Sequence, residues 1–286
     1  MSDLSVSNRN QYYTSDAEAE TLLAVANEMW GLDGKHLLEP SVGAGAFPKA
    51  ARRLGLTVAW TTNELFPDNS NYPPDTAKDF LCLTPQRLDA VVGNPPYTGT
   101  AEVGERRMPL YEAFLHQAFQ WADRVAFVLP LPILKWRTLA RLPEGVEIVA
   151  WTTPKRSDYL LGGYGTNEEQ EVATTIAFFE RTGGQGVEWD GSPPEGLEWL
   201  PEGHPDATHA VCNWGAAGST RCLQGSWGAT LPAASELFCR ITSTEIEALL
   251  ATNAINEFAK TLSSASPSVN KEEMNHYLRV MQKRLE

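Results

Sequence analysis

Apolar positions recur at helical spacing between residues 15 and 30, where Leu22, Ala26 and Met29 share one face. Ser15 with Glu18 forms a capping box at the start of this stretch, and Gly31 stops it. Short apolar runs then alternate with helical patterns. Strands are predicted at 35–39, 57–62, 88–92, 124–129, 146–151 and 172–179, and helices at 47–54 and 110–122. Strands that are apolar almost without interruption, separated by helices, predict a parallel sheet covered on both faces. The texture changes from about residue 183. GGQGVEWDGSPPEGLEWLPEGHPD reads as turns and short strands, followed by a helix at 243–253, a polar SSASPS stretch and a final helix from 269 onward. Two parts are therefore expected: 1–182 and a smaller region, 183–286.

Composition narrows the class. At 286 residues and 42% hydrophobic, the chain can bury the core of one large domain or of a domain with an appendage. It contains no run of eighteen apolar residues, so no membrane-spanning helix is expected. MSDLSVSNRNQYYTSD lacks the apolar core of a signal peptide. The four cysteines (Cys82, Cys212, Cys222 and Cys239) are too sparse for a disulfide framework, and the expected setting is a reducing cytoplasm. His204, His209, Cys212 and Cys222 contain no CxxC pair, so packing and surface roles are expected and no metal. The net charge of −13 divides into −7 and −6 between the two parts. Neither part suits general phosphate binding, so a nucleic-acid substrate requires positive charge gathered locally. Candidates are Arg106 and Arg107, then Lys135, Arg137 and Arg141, then Lys155 and Arg156. Each can contact phosphates at a crevice rim or simply form a solvated face.

Three motifs carry chemistry. In Glu39-Pro40-Ser41-Val42-Gly43-Ala44-Gly45-Ala46-Phe47 a strand meets a helix through a glycine turn. Such a turn lets a ligand approach the backbone and the unpaired N–H groups of the helix N-terminus. Glu64 ends the next strand, nineteen residues after Gly45, where an acid can accept both ribose hydroxyls of a nucleoside. The spacing departs from the full dinucleotide fingerprint, which argues against NAD or FAD. The second motif is Asn94-Pro95-Pro96-Tyr97, at the end of Leu88-Asp89-Ala90-Val91-Val92-Gly93. The Asn94 amide oxygen and the Pro95 carbonyl are two acceptors suited to an –NH2 group, and the prolines fix the local backbone. Tyr97 can lie flat on a planar substrate. The third, Gln11-Tyr12-Tyr13-Thr14, precedes the first helix and can equally be an aromatic staple over it.

Together, and in this order, the three motifs resemble class I S-adenosylmethionine-dependent methyltransferases that modify exocyclic amines. The chain is most similar to adenine-N6 DNA methyltransferases of the gamma-type arrangement, over about residues 10–181. The resemblance implies an α/β fold, a Rossmann-like methyltransferase sheet that is mostly parallel with one antiparallel strand, plus a small C-terminal region. It also implies S-adenosyl-L-methionine as cofactor. Tyr13 and Thr14 would help hold the methionine portion, with Glu39, Gly43 and Gly45 around it, and Glu64 would bind the ribose. Asp79 and Phe80, in KDFL, would hold and stack the cofactor's adenine. Asn94, Pro95, Pro96 and Tyr97 would hold the target base. Tyr164-Gly165-Thr166, followed by 172–179, resembles the loop and late antiparallel strand that close such sheets. The acidic total, and a C-terminal region smaller than a large recognition domain, depart from the family pattern.

The implied reaction moves a methyl group to the N6 of a flipped adenine in double-stranded DNA, as in restriction-modification systems. NPPY also occurs in methyltransferases of RNA bases and of a protein glutamine. The early QYYT segment and the late TTIAFFE strand favour DNA. An inactive binding subunit of the same fold is the alternative from outside enzymes, and intact Gly43, Gly45, Glu64 and Asn94 speak against it.

Overall fold

The computed structural model describes residues 14–69, 72–152, 173–184, 190–213, 220, 222–223, 236–252, 255 and 269–283, with backbone alone at 155–160, 169–172, 221, 280, 282 and 283. The chain divides into two compact units. One comprises Met1–Ile133 and Leu142–Gly186, the other Leu134–Arg141 and Val187–Glu286. The short segment Leu134–Arg141, which the alternating pattern put with the N-terminal sheet, thus belongs to the second unit.

In the first unit α1 (Asp16–Trp30) opens with the Ser15/Glu18 capping box and closes at Gly31 in the left-handed conformation. It buries Ala19, Leu22, Leu23, Ala26 and Trp30. Met29, expected on that face, is exposed. The chain continues through β1 (His36–Glu39), α2 (Ala46–Arg53), β2 (Ala59–Thr62), β3 (Ala90–Gly93), a hairpin of β4 (Thr100–Val103) and β5 (Arg106–Pro109), and α3 (Leu110–Trp121). The strands β6 (Arg124–Pro130), β7 (Val146–Trp151), β8 (Lys155–Leu160) and β9 (Glu169–Arg181) follow.

The main sheet has the order β2-β1-β3-β6-β9-β7, with β8 also paired to β9. β1 pairs parallel with β2 and β3, and β3 pairs parallel with β6. β9 runs antiparallel to β6, β7 and β8. This is a Rossmann-like α/β sheet, mostly parallel with one antiparallel strand inserted. Its interior strands are apolar on both faces because helices cover both: Ala90–Val92 and Val125–Leu129 are buried throughout. Burying each larger side chain contributes about 1.5–3 kcal/mol. The chain runs from β1 outward to β2, then crosses to β3 on the other side of β1. The carboxyl ends of β1 and β3 therefore flank the topological switch point, where open α/β sheets bind ligands.

The second unit is a four-stranded antiparallel sheet. Its strands are β10 (Leu197–Leu200), β11 (His209–Cys212), β12 (Thr220–Cys222) and β13 (Glu236–Ile241), in the order β10-β13-β11-β12. Its helices are α4 (Trp136–Leu139), α5 (Thr244–Ala251) and α6 (Lys271–Lys283). The core joins Leu197, Val211 and Cys239 of the sheet to Ile246 and Leu250 of α5 and Met274 and Leu278 of α6. Trp199 Nε1 donates to Asn275 Oδ1 at 2.9 Å, satisfying its polar atom at the edge of that core.

Candidate functional site

The turn after β1 is built by glycines. Gly43 and Gly45 both have positive φ (47° and 74°), and Gly45 caps α2 with no side-chain bond to the helix N-terminus. A Cβ at Gly45 would lie 2.6 Å from Tyr72 Cγ and 2.9 Å from Tyr72 Cβ, so this ring packs directly on the turn. Backbone bonds pin the turn to the next strand end: Val42 N donates to Asn63 O at 2.9 Å, and Asn63 N to Glu39 O at 2.9 Å.

Two buried carboxylates flank this turn. Glu39 ends β1 in register with Thr62 of β2, and Glu64 follows two residues later. They are only 2% and 7% exposed. Glu64 Oε2 accepts from Gly43 N at 3.0 Å and Oε1 from Phe66 N at 3.2 Å. Burial raises the Glu64 carboxyl above the usual carboxylate range, against the pull of the Phe66, Gly43 and Leu65 backbone N–H groups. Burial, and then the charge of Glu64, push Glu39 well above that range. Glu39 Oε2 is buried with no hydrogen-bond partner among the described residues.

Between them, Asn63 clamps two loops. Its Nδ2 donates to Pro40 O (3.1 Å) and Lys78 O (2.9 Å), while its Oδ1 accepts from Thr76 Oγ1 at 2.8 Å. Sequence reasoning passed over this residue. Its signal was a lone amide between Thr62 and Glu64 at the end of a half-apolar strand.

The Asn94-Pro95-Pro96-Tyr97 segment leaves β3 beside this turn. Ser41 Oγ donates to Asn94 O at 3.1 Å, tying the two motifs together. Asn94 is 9% exposed, and Tyr97 Oη donates to Val128 O at 3.4 Å. A Cβ at Gly93 would lie 3.2 Å from Pro40 Cδ, so the strand end passes close to the Pro40 ring.

The remaining expected residues scatter. Tyr13 lies outside the described residues, and Thr14 is half-buried just ahead of α1. Asp79 Oδ1 accepts from Leu81 N at 3.0 Å, capping a single turn of helix. Phe80 is 1% exposed, its ring packed 5.0 Å from that of Phe114 and 6.3 Å from that of Trp121. Both neighbours come from α3. Leu65, which the motifs did not single out, is 47% exposed beside Glu64.

The cations fall into three settings. Arg106 and Arg107 are exposed on β5 of the hairpin, and Arg107 Nε donates to Thr100 Oγ1 at 2.8 Å. Lys135 and Arg137 lie in the second unit, paired with Glu273 at 3.3 Å and Glu272 at 2.9 Å of α6. The side chains of Lys155 and Arg156 lie outside the described residues, as does the 164–166 loop.

A cavity of about 370 Å³ opens beside β2, lined by Arg52, Trp60, Thr62, Tyr72, Pro73 and Asp75. None of residues 93–97 lines it. Among the described residues, no His, Cys, Asp and Glu cluster could hold a metal ion, and no helix is long and apolar enough to cross a membrane.

No protein-family model and no curated protein matches the chain. Solved structures resemble it in fold. A proposed RNA methyltransferase from Pyrococcus horikoshii is 18% identical, with a TM-score of 0.45 over 62% of this chain and 89% of that one. The methyltransferase subunit of a type I restriction-modification system from Streptococcus thermophilus is 18% identical, with a TM-score of 0.42 over 60% of this chain and 44% of its own. A proposed class I S-adenosylmethionine-dependent methyltransferase from Listeria monocytogenes is 10% identical, with a TM-score of 0.41 over 64% and 65%. None of the three fixes what this chain acts on.

Proposed function

We propose that the protein is an S-adenosylmethionine-dependent methyltransferase acting on the exocyclic N6 of adenine in DNA. The observation that carries this reading is the Ser41 hydroxyl bond to the Asn94 carbonyl, which brings the glycine turn and the Asn-Pro-Pro-Tyr segment to one end of the sheet. A cofactor fits the first of these: the turn leaves α2 without a side-chain cap, and Glu39 offers a buried oxygen without a partner to a positively charged group. Thr14, Glu39, Gly43 and Gly45, with Tyr13, would hold the methionine end. Glu64 would take the ribose hydroxyls by exchanging its backbone partners, and Leu65 offers an apolar surface to the adenine. Asp79 would hold the cofactor's adenine.

The bound cofactor would supply an electrophilic methyl carbon. The chain's own residues then have two tasks. The Asn94 amide oxygen and Pro95 carbonyl accept the two hydrogens of the target amine, which localises electron density on its nitrogen. Pro95 and Pro96 hold those acceptors in place, so alignment rather than a strong base lowers the barrier. In a duplex the adenine must leave the stack, and the Tyr97 ring offsets part of that loss. Arg106 and Arg107, exposed on β5, would meet phosphate, with Lys155 and Arg156 as further candidates. Lys135 and Arg137 would have to exchange their α6 partners to do so.

The test is transfer of a labelled methyl group to unmethylated DNA, RNA and protein in parallel, with the modified base identified by mass spectrometry. N6-methyladenine in DNA is the expected product. Label in RNA or protein alone would overturn the DNA assignment, and cofactor binding without any transfer would point to a binding subunit.

A further inference from the structure

Resting on the cofactor reading above, we infer that the Glu39–Glu64 pair keeps one proton in the ligand-free protein and releases it when the ligand's ammonium group enters, so that binding is coupled to proton release. The geometry suits a cation. Glu39 ends β1 in register with Thr62 of the parallel β2, Glu64 lies two residues beyond that strand, and both acids are buried. Backbone N–H groups of residues 43 and 66 serve both oxygens of Glu64, and none serves Glu39 Oε2 among the described residues. Neither acid has an ion-pair partner there.

The surrounding groups leave this imbalance in place. From β2 the charged neighbour is Glu64 itself, a like charge that disfavours ionising Glu39. β3 contributes Val91, paired to Leu38, and then Gly93 against Pro40, neither titratable. Residues 40–45 carry no ionisable side chain. On α2, Lys49 Nζ donates to Ala44 O at 2.6 Å. The 75–79 segment reaches Asn63 through Thr76 and the Lys78 backbone, while Asp75 accepts from Thr62 and Asp79 from Leu81.

A proton on Glu39 is therefore the counterion the fold supplies by itself. When an ammonium group replaces it, the O–H bond breaks, the proton passes to solvent, and the new carboxylate pairs with the cation. The net charge of the pair and its cation is the same before and after, one negative. An added cation without proton loss would leave that oxygen protonated beside a positive charge, the less stable arrangement.

Isothermal titration calorimetry with S-adenosylhomocysteine tests this, because that probe carries the ammonium group and has no methyl to transfer. In buffers of low and high ionisation enthalpy near neutral pH, the heats should differ by the release of up to about one proton per site. Affinity should rise with pH by up to about tenfold per unit while Glu39 remains protonated in the free protein. 5′-Methylthioadenosine, which lacks the amino-acid end, should bind with buffer-independent heat. Glu39→Gln should bind S-adenosylhomocysteine without the buffer dependence; Glu64→Gln serves as a second variant, and the wild-type buffer series decides alone should neither fold. Buffer-independent heat for S-adenosylhomocysteine on the wild-type protein overturns the proton coupling and leaves the cofactor reading standing. Failure of both probes to bind overturns the cofactor reading, and the coupling with it.

Discussion

Replacing Gly45 by alanine places two separable loads on the turn after β1. The first is conformational: an L-residue at φ 74° occupies the left-handed region, at a cost of roughly 1–2 kcal/mol. The second is steric. The new methyl would sit 2.6 Å from Tyr72 Cγ and 2.9 Å from its Cβ, whereas carbon atoms rest about 3.5–4.0 Å apart. Those atoms lie at the root of the side chain, so a change of rotamer at the ring's far end does not clear them and the Tyr72 backbone must yield. Overpacking of this kind costs about 1–3 kcal/mol. The sum is roughly 2–5 kcal/mol, and at about 2–4 °C per kcal/mol for a unit of this size a central value of about 3 kcal/mol lowers the melting temperature by about 6–12 °C. Scanning calorimetry on the wild type, Gly45→Ala, Tyr72→Ala and the double variant separates the two loads. With the ring gone but the Cβ of residue 72 still 2.9 Å from the new methyl, the glycine substitution should keep its conformational cost and lose only part of the steric one, leaving a coupling of up to about 1–3 kcal/mol between the sites. Additive costs, or a Gly45→Ala protein that melts with the wild type, would refute the packing of Tyr72 on this turn.

Asn94→Ala should lower methyl transfer by about tenfold or more while S-adenosylhomocysteine affinity, read by calorimetry, stays within about twofold, because its acceptor serves the target amine. Glu39 binds its proton more tightly in the folded chain than in the unfolded one, so its contribution to stability is full below the ordinary carboxylate range and drains as pH rises through the raised folded value. Urea denaturation from pH 4 to 8 should accordingly show wild-type stability falling relative to Glu39→Gln, and a parallel pair of profiles would contradict it. Cys82 is exposed, Cys212 and Cys239 are buried, and burial pushes the Cys239 thiol up to about 12; brief alkylation of the native protein, mapped by mass spectrometry, should mark Cys82 and spare Cys239. Alanine at Arg106 and Arg107 should weaken DNA binding and flatten its salt dependence, whereas Lys135→Ala should chiefly lower the melting of the second unit by unpairing the nearly buried Glu273, with filter binding and calorimetry as the two readouts.

What the sequence disclosed follows from how locally each feature is encoded. β1, β3 and β6 stood out because strands buried on both faces are apolar without interruption, and the turns after them carry residues whose backbone demands, Gly43 and Gly45 with Pro95 and Pro96, are written in the residue type itself. The hairpin of β4 and β5 was missed because TAEV and RRMP are four residues each and half exposed, too short for an alternation to be read. Phe80 is ambiguous for a different reason: an aromatic beside an acid reads the same whether its ring serves a ligand or packs on other rings, and in this structure it lies against Phe114 and Trp121.

Charge is the least local property of all. Lys135 and Arg137 look like a basic rim until Glu272 and Glu273, more than a hundred residues later, are brought against them. Glu39 and Glu64 look like two ordinary acids, because the desolvation that makes them a pair comes from neighbouring strands and loops rather than from adjacent residues. The net charge of −13 therefore says little about the site. Many surface acids are dissipated by solvent or by partners such as Arg53 and Arg240, whereas two at the ends of β1 and β2 are shielded from both. An acidic chain can still act on a polyanion under these conditions, provided that the negative charge nearest the reaction is neutralised by a proton or a ligand cation and exposed arginines such as Arg106 and Arg107 face the phosphates.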